Sequence, residues 1–163
     1  MPRVWFCSIS FCLISITAHA EESLYKVIYV YDGDTVKLRP IDSISAQDEF
    51  KLRLTDIDAP ERNQSFGLIS RRALIKLCKG KNIIAKAQIS GTDKYQRTLG
   101  RLQCNGVDAS YYLAEHGLAW FYSQYSKDAD LYKAAQNAKR LTLGLWAEEN
   151  PIPPWDWRHQ QLH

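Results

Sequence analysis

The chain has 163 residues, of which 45% are hydrophobic and 24% are charged. This length suits one domain with its own core but not two, and the composition excludes the disordered and fibrous classes. The formal net charge of +3 is only mildly basic, so charge alone neither indicates nor excludes a nucleic-acid partner.

The first twenty residues have the pattern of a secretory signal peptide. Arg3 gives a short positive n-region, residues 4–17 form an apolar stretch, and Ala18-His19-Ala20 provides an A-x-A cleavage signal. The apolar stretch is too short to span a bilayer, so we expect no membrane anchor. The sequence therefore predicts export, either to a periplasm or out of the cell.

Removal of this peptide leaves Cys78 and Cys104 as the only cysteines of the mature chain. In an oxidising compartment an isolated pair is more often a disulfide than a metal site. The alternative is a pair of buried free thiols, which proteins tolerate well. The export signal favours the disulfide.

Residues 21–150 are expected to form the folded domain. Five strands are predicted from β-branched, aromatic and alternating apolar residues, at 24–31, 35–38, 50–54, 82–89 and 99–104. Three helices are predicted from apolar spacing and end signals, at about 65–78, 108–117 and 128–141. Strands come first and helices are interspersed later, which indicates a small α+β domain.

Residues 151–163 form a Pro/Trp-rich C-terminal tail. Because proline lacks the backbone donor, we expect residues 151–157 to be extended rather than helical. Trp155 and Trp157 could stack on nucleic-acid bases. Tryptophan is mostly buried, however, which favours a tail that these side chains pin to the body of the domain.

Two acidic clusters, at residues 32–35 and 56–61, carry the candidate chemistry. Each alone could be a solvated turn. However, Arg53 precedes the second cluster on a strand, and Arg97 lies in a polar turn after the fourth strand. Phosphodiester hydrolysis needs a hard cation, a base for water and positive charge for the transition state. Carboxylate and carbonyl oxygens suit calcium, and the arginine fork matches two phosphate oxygens.

Three blocks in this order resemble the signature of the staphylococcal nuclease (thermonuclease) family, namely Asp32-Gly33-Asp34-Thr35, then Arg53-Leu54 leading to Asp58-Ala59-Pro60-Glu61, then Asp93-Lys94-Tyr95-Gln96-Arg97. The resemblance continues through Gly117-Leu118-Ala119 and Gly144-Leu145-Trp146-Ala147, and it covers nearly the whole mature chain. It implies an OB-fold, which is a five-stranded Greek-key barrel, here with three helices.

The resemblance also implies a calcium site. Asp34 and Asp58 would bind the ion directly, together with the main-chain carbonyl of Ala59. Asp32 and Thr35 would support these ligands from behind.

The remaining implied roles concern water and substrate. Glu61 would orient or deprotonate the attacking water. Arg53 and Arg97 would bind the phosphate and stabilise the transition state. The nucleotide would be bound by substrate-contacting side chains of the third block and of a later loop, namely Lys94, Tyr95 and Tyr125.

The chain departs from the family pattern at three places. Gln96 stands where the family usually has glycine, so a positive φ there would strain the turn and could shift Arg97. Asp56 adds a carboxylate, which we interpret as solvated rather than as a third calcium ligand. The second nucleotide-contacting tyrosine position holds either Tyr122 or no tyrosine, because an ungapped register places Ser123 there.

The sequence thus predicts a secreted, calcium-dependent nuclease that acts as a monomer on DNA and RNA and leaves 3′-phosphate ends. No base-reading element is visible, which indicates cutting without sequence specificity. One alternative is a non-catalytic nucleic-acid or peptide-binding module, although such modules usually lack the acidic and arginine residues. A secreted calcium-binding structural domain would explain the aspartates but not Arg53 and Arg97.

Overall fold

The computed structural model describes residues 23–161, so the expected signal peptide at residues 1–20 lies outside the described residues. In chain order the strands are β1 (Ser23–Val30), β2 (Thr35–Pro40), β3 (Phe50–Leu54), β4 (Ile57–Asp58), β5 (Ala85–Thr92), β6 (Thr98–Cys104), β7 (Val107–Asp108) and β8 (Trp120–Phe121). The helices are α1 (Gly67–Cys78), α2 (Ala109–Glu115), α3 (Ala129–Arg140) and α4 (Pro154–Gln160), with 3-10 turns at Ala46–Asp48 and Gly144–Ala147.

Five of these strands close into a mixed β-barrel. Strands β3, β2, β1, β5 and β6 lie side by side in antiparallel pairs, and a parallel pairing of β3 with β6 joins the two edges. In the closing pair Leu52 lies opposite Thr98 and Leu54 lies opposite Gly100. This closed barrel with its interspersed helices confirms the predicted OB-fold and the α+β class.

The barrel interior is filled by apolar side chains that recur at every second strand position. Val36 and Leu38 of β2 and Leu52 and Leu54 of β3 are completely buried. Arg53, which lies between the two leucines, points to the opposite side of the strand and is only 8% exposed. Both faces of β3 are therefore buried, with the apolar core on one face and the charged side chain of Arg53 on the other.

Helices α2 and α3 begin at aspartates, as the sequence predicted for Asp108. The Asp108 carboxylate accepts from the amide of Tyr111 at 2.9 Å, and the Asp128 carboxylate accepts from the amide of Leu131 at 3.0 Å. No helix within residues 23–161 is long and apolar enough to cross a membrane.

The expectation of an extended C-terminal tail is wrong, because α4 is a fourth helix beside the three that were predicted. Pro153 is extended and precedes the helix, and Pro154 is its first residue. At that position the missing amide has no helical partner to lose and the fixed φ suits the helix. The prolines therefore begin this helix rather than prevent it.

Aromatic contacts hold the tail against the domain, in agreement with the expected pinning. The Trp155 ring stacks on Tyr122, with centroids 5.6 Å apart and an interplanar angle of 9°. It also meets Trp120 edge to face, with centroids 5.6 Å apart. The tail is thus a packed part of the structure.

Cys78 at the end of α1 and Cys104 at the end of β6 form a disulfide, with Cα atoms 5.1 Å apart. Both residues are buried in the main core. The bond confirms the pairing that the sequence favoured, and it fastens α1 to the barrel.

Reduction of this bond should lower the free energy of unfolding by about 3 kcal/mol, because the bridge restricts the unfolded chain across 26 residues. Denaturant unfolding of the Cys78→Ala/Cys104→Ala double variant measures this loss. Activity should survive at moderate temperature, since neither cysteine lies in the three sequence blocks. Alkylation of exported, denatured, unreduced protein should label neither thiol, and labelling of both would disprove the bridge.

Candidate active site

One cavity of about 900 Å³ brings together every residue that the sequence predicted for the site. Its lining includes the calcium-ligand candidates Asp34, Asp58 and Ala59 and the catalytic candidates Arg53, Glu61 and Arg97. It also includes the supporting and substrate-binding candidates Asp32, Thr35, Lys94, Tyr95 and Tyr125. Three blocks that are far apart in the chain thus face one space.

The turn between β1 and β2 fixes the carboxylate of Asp34. Asp32 Oδ1 accepts from the amides of Asp34 at 3.0 Å and Thr35 at 2.7 Å, and Thr35 Oγ1 donates to Asp34 Oδ1 at 2.9 Å. A Cβ at Gly33 would lie 2.0 Å from Ser70 Oγ of α1. Glycine is therefore required here, because this turn packs directly on the first helix.

Arg53 joins the two acidic clusters. Its Nη1 lies 3.2 Å from Asp34 Oδ2, and its Nη2 lies 2.8 Å from Asp58 Oδ1. Nη1 also donates to the carbonyls of Leu54 at 2.6 Å and Ile57 at 2.9 Å. These four partners account for the burial of a guanidinium group beside the core.

Burial changes the pKa values of both candidate calcium ligands. Asp34 is 4% exposed and Asp58 is 1% exposed. Burial raises the pKa of Asp34 to about 7, although the positive charge of Arg53 opposes the rise. Burial likewise raises the pKa of Asp58, against the hydrogen bond from Arg158. A cavity whose carboxylates are costly to ionise gains from additional positive charge.

The donor set fits a hard cation. Asp34 and Asp58 contribute carboxylate oxygens, and Ala59 lines the same cavity. The Ala59 amide also holds Asp34 in place by a hydrogen bond to its Oδ2 at 2.6 Å. Oxygen donors of this kind are those that calcium prefers. Within residues 23–161 no group of three or more His, Cys, Asp or Glu side chains is arranged around a metal position.

The loop between β5 and β6 is organised by Asp93. Its Oδ1 accepts from the amides of Tyr95 and Arg97, each at 2.9 Å, and its Oδ2 pairs with Arg97 Nε at 2.7 Å. Gln96 has a φ of 59°, so the position where the family usually has glycine is left-handed in this chain. Arg97 nevertheless lines the cavity, and its guanidinium and Lys94 Nζ lie 5.6 and 5.1 Å from the centre of the Tyr95 ring.

Two tyrosines from the loop after β8 line the cavity together. The rings of Tyr122 and Tyr125 lie 4.9 Å apart, and Ser123 is not in the lining. Tyr125 is 64% exposed, whereas Trp155 stacks on one face of Tyr122. Tyr122 and Tyr125 thus both line the cavity, together with Tyr95, and Tyr125 has a more accessible ring than Tyr122.

The interpretation of Asp56 as a solvated carboxylate is wrong. Asp56 is 7% exposed and does not line the cavity, and its Oδ2 lies 3.4 Å from Arg101 Nε. Its carbonyl accepts from the amide of Tyr122 at 3.0 Å. Arg101 also pairs with Asp108 and Asp128 at 3.4 and 2.9 Å. Asp56 is thus part of a structural ion-pair network.

The cavity also contains three residues of α4 that were not among the predicted site residues, namely Trp155, Arg158 and His159. Arg158 Nη2 lies 2.7 Å from Asp58 Oδ2, and Arg158 Nη1 lies 2.8 Å from Glu61 Oε1. Burial lowers the pKa of Arg158, but its bonds to these carboxylates raise it above the ordinary value. For Trp155 the sequence had suggested stacking on bases as one alternative. Arg158 was visible only as a basic residue after the tryptophans, and an extended tail would have left it without a partner in the site.

Fold and site together define a class, that of OB-fold proteins whose barrel carries paired carboxylates and arginines in one cavity. The family model for staphylococcal nuclease homologues matches residues 51–148. An uncharacterized endonuclease of Haemophilus influenzae is 36% identical over 86% of this chain and 76% of its own length. An uncharacterized endonuclease of Escherichia coli is 34% identical over 83% of this chain and 85% of its own.

A probable staphylococcal-like nuclease of Oryza sativa is 32% identical over 90% of this chain, which spans 36% of that longer protein. The extent of the family match and the coverage of the bacterial relatives lead to one conclusion. The chain belongs to the staphylococcal nuclease family.

With divalent cations removed, the melting temperature should rise as the pH falls from about 8 to about 5. The raised pKa of Asp34 means that the fold favours its protonated form. This stabilising contribution is complete below about pH 4 and is lost as the pH rises through about 7. Thermal melts across this range test the slope, where about 1 kcal/mol corresponds to roughly 2–4 °C.

Asp34→Asn is the matched control for these melts, because it removes the titrating group and keeps the side-chain volume. Its melting temperature should vary less across the same range. An equal slope in the variant would assign the effect to another group.

Proposed function

We propose that this chain is a calcium-dependent nuclease that hydrolyses phosphodiester bonds of DNA and RNA without sequence specificity and leaves 3′-phosphate ends. The observation that carries the proposal is the pair of buried carboxylates, Asp34 and Asp58, joined by Arg53 in a cavity that Glu61 and Arg97 also line. Membership of the family and the endonuclease names of the bacterial relatives support nuclease activity.

Substrate binding is assigned to the positive and aromatic groups of the cavity. Arg53 and Arg97 offer planar forks that fit two phosphate oxygens at once. The Asp93 carboxylate pairs with Arg97 Nε and so restricts the arginine side chain. Less conformational entropy is then lost when this side chain binds a phosphate. Tyr95 and Tyr125, 68% and 64% exposed, offer ring faces to a sugar or base.

Hydrolysis is assigned to the carboxylates and arginines together. When bound by Asp34, Asp58 and the Ala59 carbonyl, calcium would act as a Lewis acid toward the phosphoryl group and the attacking water. Glu61 orients the attacking water or takes its proton. Arg53 and Arg97 stabilise the negative charge that develops on the phosphoryl oxygens.

The site of action is proposed to be outside the cytoplasm, in a periplasm or in the medium. The signal-peptide pattern of residues 1–20 supports export, and the disulfide between Cys78 and Cys104 fits an oxidising compartment. We propose that the chain acts there as a monomer.

Loss of either calcium ligand should abolish hydrolysis. Asp34→Ala and Asp58→Ala each remove charge that holds the cation, and excess EDTA removes the cation itself. Digestion of plasmid DNA and of RNA measures the effect. Asp130→Ala removes an exposed carboxylate on α3 and should leave the rate unchanged. Undiminished activity in EDTA would refute the calcium mechanism, and binding without cleavage by the unmodified protein would indicate a non-catalytic module.

Exchange of either arginine for lysine should slow hydrolysis in protein that still folds, although Arg53→Lys should also lower the melting temperature because lysine cannot keep all four partners of Arg53. Arg53→Lys and Arg97→Lys keep the charge but lose the fork, and we expect a loss on the order of 10² or more in kcat for each. Circular dichroism checks the fold, and Arg140→Lys on the exposed surface of α3 is the control. Near-normal turnover of Arg97→Lys would mean that the left-handed turn at Gln96 keeps Arg97 from the substrate.

A further inference from the structure

Arg158 of α4 places its guanidinium on two of the candidate active-site carboxylates. Its Nη2 lies 2.7 Å from Asp58 Oδ2, and its Nη1 lies 2.8 Å from Glu61 Oε1 and 3.3 Å from Asp58 Oδ1. The side chain is 42% exposed and lines the same cavity as Arg53 and Arg97. Arg158 is therefore an active-site residue by position.

The segment that carries this arginine is held at two points close to the site. The Trp155 ring stacks on Tyr122. Gln64 donates from Nε2 to the carbonyl of Ile152 at 2.6 Å and accepts at Oε1 from the amide of Glu61 at 3.1 Å. The Gln64 side chain thus bonds both to the tail and to the backbone of Glu61. These bonds fix the position of α4 relative to the carboxylates.

Both oxygens of Asp58 are taken by guanidinium groups. Oδ1 lies 2.8 Å from Arg53 and Oδ2 lies 2.7 Å from Arg158. A cation bound by Asp58 would lie close to both of these positive groups and repel them, which favours a shift of at least one of them. Arg53 is held by two backbone carbonyls and its side chain is 10% exposed, whereas that of Arg158 is 42% exposed. Arg158 is thus the group that can leave.

Charge balance indicates where the released guanidinium is useful. With every group ionised, Asp34, Asp58 and Glu61 oppose the two positive charges of Arg53 and Arg158, so the site has one net negative charge. A divalent cation makes the net charge +1, and a phosphodiester then neutralises it. Without Arg158 the cation-loaded site would already be neutral and would attract a phosphate less.

The geometry points to Arg158 as a third active-site arginine, which binds the substrate phosphate once Asp58 has taken the cation. This inference rests on the proposed calcium-dependent nuclease function. A fork that spans two carboxylates is equally able to span two phosphate oxygens. Arg158 thus has two alternative partners, which are the carboxylates of the cation-free site and the phosphate of the loaded one.

Calorimetry on Arg158→Gln separates these two partners. Metal-free protein is titrated with Ca²⁺, and calcium-saturated protein is titrated with thymidine 5′-monophosphate, which has a phosphate but no phosphodiester to cleave. We expect the variant to bind Ca²⁺ several-fold more tightly, because the competing guanidinium is gone. We expect it to bind the nucleotide roughly tenfold more weakly, as for the loss of a charge-assisted hydrogen bond.

Three further measurements exclude trivial causes. Arg140→Gln removes the same charge from an exposed position on α3, where Arg140 bonds to Asn137, and it should change neither affinity. Arg158→Lys keeps the charge without the fork and should recover part of the nucleotide affinity. Melting curves and tryptophan fluorescence check that α4 stays in place in the variant.

Opposite changes in the two affinities support the inference. Tighter Ca²⁺ binding with unchanged or tighter nucleotide binding would mean that Arg158 only blocks the site, and this would overturn it. Weaker binding of both ligands would indicate a purely structural residue and would overturn it as well. If the unmodified protein bound no Ca²⁺, the proposed function would fail and the inference with it, a result distinct from a failure confined to Arg158.

Discussion

The ion pairs of Arg53 are the interaction on which the rest of the structure depends. A guanidinium this deeply buried is stable only if its donors are satisfied, and Arg53 finds carboxylates on Asp34 and Asp58 and carbonyls on β3 and after it. Those partners belong to the β1–β2 turn, to β3 and to β4. The same side chain thus joins three segments of the chain and sets the spacing of the two carboxylates, so one set of contacts serves both the fold and the site.

The cost of that arrangement is visible in the carboxylates. Their burial raises the pKa values of Asp34 and Asp58, which means that the cation-free fold contains negative charge it holds poorly. Arg53 offsets part of this cost, and Arg158 offsets a further part through its ion pairs with Asp58 and Glu61. In this structure the buried carboxylates are therefore stabilised by two cationic side chains of the chain itself.

Local patterns predicted those parts of the molecule that depend on near neighbours. The alternation around Arg53 indicated β3, and the aspartates indicated the helix starts. The cavity lining, which joins distant segments, was expected from the resemblance of the three blocks to the family. Two features depend on partners far along the chain, and these were predicted wrongly. The acidic side chain of Asp56 pairs with Arg101. Pro154 begins a helix, and Trp155 of this helix packs on Tyr122. No local pattern encodes either partner.

Gln96 illustrates how the surroundings can overcome an unfavourable residue. A left-handed conformation costs a non-glycine residue about 1–2 kcal/mol. Asp93 opposes this cost with hydrogen bonds to the amides on both sides, at Tyr95 and Arg97, and with an ion pair to the Arg97 side chain. Net gains of about 1 kcal/mol for each such bond are enough to hold the turn. The residue that fixes the backbone is also the one that directs Arg97, so the turn accommodates a residue other than glycine at this position.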